Sequence, residues 1–382
     1  MNKSLKNYAF AIVLLIIIFI LITINFPDLN VIDNSDNIRK AAESVPQDLE
    51  LRESSKDMSS LTSSVEEKPY ILSCDPKKSK NLFEQLLEIS DIYFLNSSID
   101  EAEKRIALAK DYESRLTYIL GGVYSGEFNV LDSLIELRNE STSSNLLDWN
   151  ILNECSKTGK NQLCSNKLLN EIKTNLSANS AAWIAYGSIA IEAGNTEGII
   201  ESFQNIISAP NFNEYYSENV QLFDRVLEKH GASNSVLRYE QAFGKYAGAS
   251  MPVYISTIVK FCRELSLEQS AIDLLCLEVG KRVATSSKSF VFESLGSTLQ
   301  TTYYSKHNNK KAVEQVKHQQ IKSRYYDREL KAKADTLSKY DMNLLAFAAQ
   351  SVMEYGDIKA NKVIIEEAIR LSSDKNYNPC QT

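Results

Sequence analysis

Six cysteines and three histidines hold much of the reactive chemistry open to this 382-residue chain. Cys74, Cys155, Cys164, Cys262, Cys276 and Cys380 form no C-x-x-C pair, which argues against a thioredoxin-like centre or a zinc site. An even set spread in this way reads as structural disulfides formed in an oxidising compartment. Short spacing favours Cys155–Cys164, across CSKTGKNQLC, and Cys262–Cys276, across CRELSLEQSAIDLLC, where two helices would meet at a turn. Cys74 and Cys380 are then left to tie the ends of the domain. The alternative is that some of the six are buried free thiols. His230, His307 and His318 lie near no carboxylate motif with metal spacing, so neither a metal nor a cofactor is expected. His230 precedes Gly231 at a helix end, where a cation complements the helix dipole.

Three short strings resemble those of the penicillin-binding enzymes: Ser35-Asp36-Asn37, Lys157-Thr158-Gly159, and Ser372 with Lys375. In that class the serine–lysine string comes first and all three meet in one pocket. Here the order is reversed, and no catalytic residue is assigned. The chain has no P-loop and no G-x-G-x-x-G. A formal charge of −7 gives no support to general polyanion binding, and no nucleic-acid partner is expected.

One stretch runs against the overall charge. Between Lys306 and Lys339 there are ten Lys or Arg against four Asp or Glu. Lys310, Lys311, Lys317, Lys322, Arg324 and Arg328 could form a patch for an anionic partner, such as an acidic protein segment, lipid headgroups or a polysaccharide. The acids between them, Glu314, Asp327 and Glu329, favour a solvated helix face, with Tyr303, Tyr304, Tyr325 and Tyr326 anchoring it.

The elements that must position these groups read as helices. Thirteen glycines and seven prolines are few for a turn-rich β fold, and no run alternates cleanly with a period of two. Ser98 with Glu101 reads as a capping box opening a helix that ends at Gly121-Gly122. Leu146, Trp149 and Leu152 share one stripe. The most patterned stretch, AAWIAYGSIAIEAGNTEGIIESFQNIISAP over residues 181–210, places Trp183, Gly187, Gly194 and Phe203 at helix-turn-helix offsets. It resembles one unit of a tetratricopeptide repeat, with Ala190 and Ile199 departing from the pattern and Pro210 one residue early. A weaker echo places Gly356-Asp357 at the turn. The resemblance implies that Gly187 admits a close helix, that Gly194 caps the first helix in a left-handed turn, and that Trp183 and Phe203 fill the space between the two helices. It implies an architecture and no activity.

The N-terminus supplies the compartment. Lys3 and Lys6 precede an uncharged apolar run from Tyr8 to Ile24, and Asp28, Asp33 and Asp36 follow it. A cleaved secretory signal shares this layout, but with a shorter apolar core of ~7–15 residues and small residues at the cut site. This run ends in Thr23-Ile24-Asn25-Phe26-Pro27 and approaches the ~20 residues of a membrane-spanning helix. The lysines predict an inner, cytoplasmic N-terminus. The first cysteine is too distant for a lipoprotein. Residues 27–70, rich in serine and charge, read as a flexible tether.

The expectation is therefore an all-α chain. A transmembrane signal-anchor would occupy residues 1–26, a tether 27–70, and an irregular tetratricopeptide-like bundle or solenoid 71–382 on the periplasmic or extracytoplasmic face of the inner (cell) membrane. Its expected role is that of a scaffold for a protein or peptide of the envelope. The alternatives are an all-α enzyme acting on envelope glycans, recognisable by a buried carboxylic acid in a cleft, and a passive structural protein with a closed surface.

Overall fold

The structure is a computed structural model. It describes residues 70–380 except 76–78, 80–91, 122–128, 142–143, 159–161, 234–237, 239–240, 243–253, 267–269 and 325–327. The expected anchor and all but the last residue of the expected tether lie outside the described residues. Among the described residues no helix is long and apolar enough to cross a membrane.

The described chain is all-α. Fourteen helices carry it: α1 (Ile92–Leu108), α2 (Tyr112–Gly121), α3 (Val130–Glu140), α4 (Asn145–Thr158), α5 (Asn166–Asn175), α6 (Ser180–Glu192), α7 (Thr196–Ser208), α8 (Tyr216–Lys229), α9 (Tyr254–Glu264), α10 (Ser270–Ser286), α11 (Phe290–Lys306), α12 (Lys310–Arg324), α13 (Arg328–Ser338) and α14 (Met342–Ser372). No strand occurs among the described residues; a single parallel bridge links Asn179 and Asn211.

Helix α6 is the hub, and its sequence explains why. SAAWIAYGSIAIE is apolar on every side, as a helix enclosed by others must be, and ten of its residues are buried. It packs against α4, α7 and α9, while α10 lies on α7. Small side chains let neighbours come close. A Cβ added at Gly187 would stand 3.4 Å from both Phe203 of α7 and Ile258 of α9. The most extensive pair, α10 with α11, rests on a tighter approach, since a Cβ at Gly296 would stand 2.6 Å from the Gly280 carbonyl oxygen.

Polar residues start and stop these helices. Asn179 caps α6, and Asn195 caps α7 through the Gly198 amide at 3.1 Å. Between them α6 ends in a Schellman turn. The Asn195 amide reaches Ala190 O at 2.9 Å, the Gly194 amide reaches Ile191 O at 3.0 Å, and Gly194 has φ +67°. Helix α8 ends in the same way at His230 and Gly231, where the Ala232 amide reaches Leu227 O.

The buried residues form two cores. The main one draws on α1 to α11 and contains Trp149, Ile184, Phe203 and Tyr254. The second joins α13 and α14 to the start of the described chain, with Ile71, Cys74, Leu337, Ile364 and Ala368. There the Leu72 amide donates to the Ser372 hydroxyl at 2.9 Å, and a disulfide joins Cys74 to Cys380. Two further disulfides, Cys155–Cys164 and Cys262–Cys276, join α4 to the residue before the α5 N-cap, and α9 to α10. There is no free cysteine among the described residues.

One local expectation fails. Ser98 is not a helix start, because α1 runs through it from Ile92. The helix stops earlier instead, and Asp111 opens α2 by accepting from the Ser114 amide at 3.1 Å. The Asp111 signal sits inside a charged run, where it is hidden among Lys110, Asp111 and Glu113. Gly356 does mark a break: its φ of 75° and ψ of 169° are non-helical, and two helical stretches meet there across a kink within Met342–Ser372.

Candidate functional site

Two histidines, His230 and His307, have buried polar partners. Ser114 Oγ lies 2.9 Å from His230 Nε2, a nucleophile–base distance. Ser114 is fully buried, so no substrate reaches it, and the bond fastens α2 to the end of α8. His307 Nε2 lies 3.0 Å from the buried Asp273 Oδ2, whose other oxygen takes Lys306 Nζ at 2.8 Å. Lys306 also donates to the Cys262 and Leu265 carbonyls. The cluster seals the join of α9, α10 and α11 beside Cys262–Cys276. Its members come together only in the fold, since Asp273 and His307 are 34 residues apart. No group of three or more potential metal ligands occurs among the described residues.

Two of the three strings do other work. Ser372 closes α14, Lys157 pairs with Glu154 at 2.6 Å, and Ser35-Asp36-Asn37 lies outside the described residues.

The basic stretch falls on the end of α11 and on α12 and α13. Lys310, Lys311 and Lys317 are exposed on α12, with Glu314 exposed among them. The side chains of Lys322 and Arg324 lie outside the described set. Arg328 is exposed and engaged. On α13 Lys331 pairs with Asp335, and Lys333 with Glu329 at 2.7 Å. These are one-turn pairs of a solvated helix surface.

The residues of the patterned hairpin are placed differently from one another. Phe203 is fully buried and meets Phe261 of α9 edge-on at 6.1 Å. Trp183 looks back toward α5. Its Nε1 donates to Ser177 O at 2.8 Å, Lys173 Nζ stands 5.4 Å from its ring centroid, and Tyr186 is its ring neighbour. The two aromatics thus brace α6–α7 against α5 and α9, rather than both filling the space between α6 and α7.

A cleft of about 530 Å³ opens beside this hairpin. Four segments wall it: the start of α4, the α5–α6 turn, the α7–α8 loop and the last turn of α10. Its lining is mostly amide. Asn145, Asn175 and Asn211 are exposed at it, with Asn179 and Asn213 deeper. The deeper pair holds the wall in shape. Asn179 Oδ1 accepts from the Ala181 and Asn213 amides, and its Nδ2 donates to Asn213 O at 2.8 Å. Asn213 Oδ1 in turn accepts from the Tyr215 amide at 2.9 Å, and its Nδ2 donates to Glu218. This lacing bends the loop so far that Tyr215 sits at φ 50°, a left-handed conformation uncommon outside glycine. The Tyr215 ring rests 5.7 Å from Trp149.

Two cations line the cleft, Arg282 and Lys288, and no Asp or Glu does. Arg282 Nη2 donates to Ala209 O at 2.8 Å, while its Nε is buried without a partner. The nearby acids are occupied elsewhere. Asp148 is buried against Arg138 Nε at 2.8 Å and Asn175 Nδ2 at 2.7 Å.

The chain also holds a buried acid. Glu214 is bonded to the Ser289 side chain and to the Lys288 and Ser289 backbone, and burial, with Asp357 nearby, pushes its carboxyl up to about 7. The residue as a whole keeps some exposure, but Oε1 itself is sealed from solvent and unpartnered. Glu214 is not among the residues that line the cleft. Asp357 is raised as well, by burial, and accepts from the Phe290 amide. Both acids therefore converge on the first residues of α11. No sequence motif marked this cleft, because its parts come from four separated segments. A scan of family models, a search of curated proteins and a search of solved structures each found no match to this chain.

Proposed function

We propose that this chain is a single-pass, membrane-anchored helical scaffold that binds a protein or peptide segment on the extracytoplasmic side. In this reading α6–α7 is one unit of a degenerate tetratricopeptide-like repeat. Four features support it. The apolar run from Tyr8 to Ile24 behind Lys3 and Lys6 suits an anchor with an inner N-terminus. Three disulfides suit an oxidising compartment. The Gly194 turn and the close contacts of Gly187 suit a helical repeat.

The cleft carries the reading. Its size is that of a ligand site, and exposed side-chain amides offer a donor and an acceptor each, the pairing that a peptide group needs. An enzyme of envelope glycans would need its raised carboxyl in the cleft. Glu214 is instead bonded to the start of α11. The test is chemical crosslinking of the full-length chain in its own membranes, read by mass spectrometry. A reproducible protein partner, lost in Asn211→Arg, supports the scaffold. Partners unchanged by Asn211→Arg, or none with several crosslinkers, would reject it. Deleting α6–α7 would be uninformative, since that hairpin is the centre of the core.

A further inference from the structure

We infer that the cleft recognises carboxylates: its ligand is an acidic peptide segment whose carboxyl group is held by Arg282 and Lys288. This deepens the peptide-binding reading above and rests on it. The chain as a whole is acidic, yet this cleft is lined by two cations and no acid. Neither cation is neutralised. Arg282 has one backbone carbonyl as its partner, Lys288 has none for its side chain among the described residues, and the Arg282 Nε is buried and unpaired. A guanidinium that lines a cleft and is paired with no acid is a group that a carboxylate can pair with.

Helix ends of both signs meet the cleft: α4, α6 and α8 begin there, while α5 ends at Asn175, α7 ends ahead of Pro210 and α10 ends at Ser286, so the preference rests on the two side-chain cations. Of the acids near the cleft, Asp148 is paired with Arg138, Glu214 behind Lys288 is held toward its neutral form by burial, and Glu218 keeps its charge against the Asn213 amide. The cations of α12 make a poorer site, as they stand on an open helix face among exposed acids.

The same carboxylate can come from a side chain or from a chain end, and a uronic-acid saccharide offers one on another scaffold. The test measures fluorescence anisotropy of four labelled probes with the full-length chain in an uncharged detergent. They are a capped hexa-glutamate amide, a capped hexa-glutamine with a free carboxyl end, the capped hexa-glutamine amide, and a hexameric oligogalacturonate. The expected result is that one or both carboxylate peptides bind at least about tenfold more tightly than the amide, and that the preference shrinks as salt is raised. Lys288→Met, which keeps the Cβ and backbone that meet the Gly356 kink, and Arg282→Met should each remove most of it. Lys310→Met with Lys317→Met should leave it intact. Equal binding of all three peptides would overturn the carboxylate inference and leave the peptide site standing. Oligogalacturonate bound in place of the peptides, or no probe bound at all, would overturn both.

Discussion

Glu214 is bonded to Ser289 side chain to side chain, which fastens the loop ahead of α8 to the N-cap of α11. The bond sits in a place too dry for a charge. Burial, the largest influence, raises the Glu214 carboxyl to about 7 despite the hydrogen bonds that lower it. A raised acid binds its proton more tightly in the folded state than in the unfolded chain. Its contribution to stability is therefore fully present below the unfolded value of 4.5 and is lost as pH climbs toward 7. The loss is up to about 3 kcal/mol at the scale of 1.4 kcal/mol per unit. Glu214→Gln keeps the shape without the charge. Its melting temperature should exceed that of the parent at pH 8 and match it near pH 5. An advantage that grows toward low pH would refute the assignment.

The kink of α14 sets a second test. A Cβ at Gly356 would lie 2.6 Å from both Cβ and the carbonyl oxygen of Lys288, at a φ of 75° and a ψ of 169° that only glycine adopts freely. At Gly194 the φ is +67° but nothing lies within 4 Å. Gly194→Ala should then show strain alone, about 1 kcal/mol. Gly356→Ala should lose about 3 kcal/mol or more, since the clash meets backbone. Chemical denaturation of the two variants measures the difference, and equal losses would contradict it.

The disulfides make a third. Cys74–Cys380 closes a separation of 306 residues and Cys155–Cys164 one of 9. Chain-entropy reasoning gives about 6 kcal/mol for the long loop and about 2.5 kcal/mol for the short one. Replacing both cysteines of a pair by serine should therefore hurt the second core, around Ile71 and Ile364, more than it hurts the α4–α5 join. Hydrogen exchange in α13 and α14 would report it. A non-reduced digest should yield the three linked peptide pairs, and any other pairing would contradict the fold of the chain ends.

Residues 71–382 made alone should be soluble and strongly helical by circular dichroism, because both cores lie within them. Substantial strand content would contradict the fold.

The helices were legible in the sequence where local chemistry decides them. Gly194-Asn195 shows its capping turn, and the all-apolar α6 shows its buried place. Ser98 misled because a capping pair is also an ordinary surface pair, and the apolar spacing carries α1 through it. The cleft was not legible. Asn145, Asn179, Asn213 and Arg282 are far apart in the chain, and asparagines in loops usually serve the loop, as Asn179 does here. The basic stretch drew attention because its charges are consecutive. Arg282 and Lys288 are two cations in a mixed segment, and only the absence of acids from the lining of their cleft sets them apart.

The central claim is that a partner chain occupies the cleft. Site-specific photo-crosslinking in intact membranes tests it most directly, with a photoreactive residue placed at Asn211 on the cleft and, as a control, at Leu274, which is 48% exposed on α10. The account predicts a discrete protein adduct from Asn211, absent from Leu274 and abolished by Lys288→Glu. The same adduct from both positions, or none from Asn211, would contradict it.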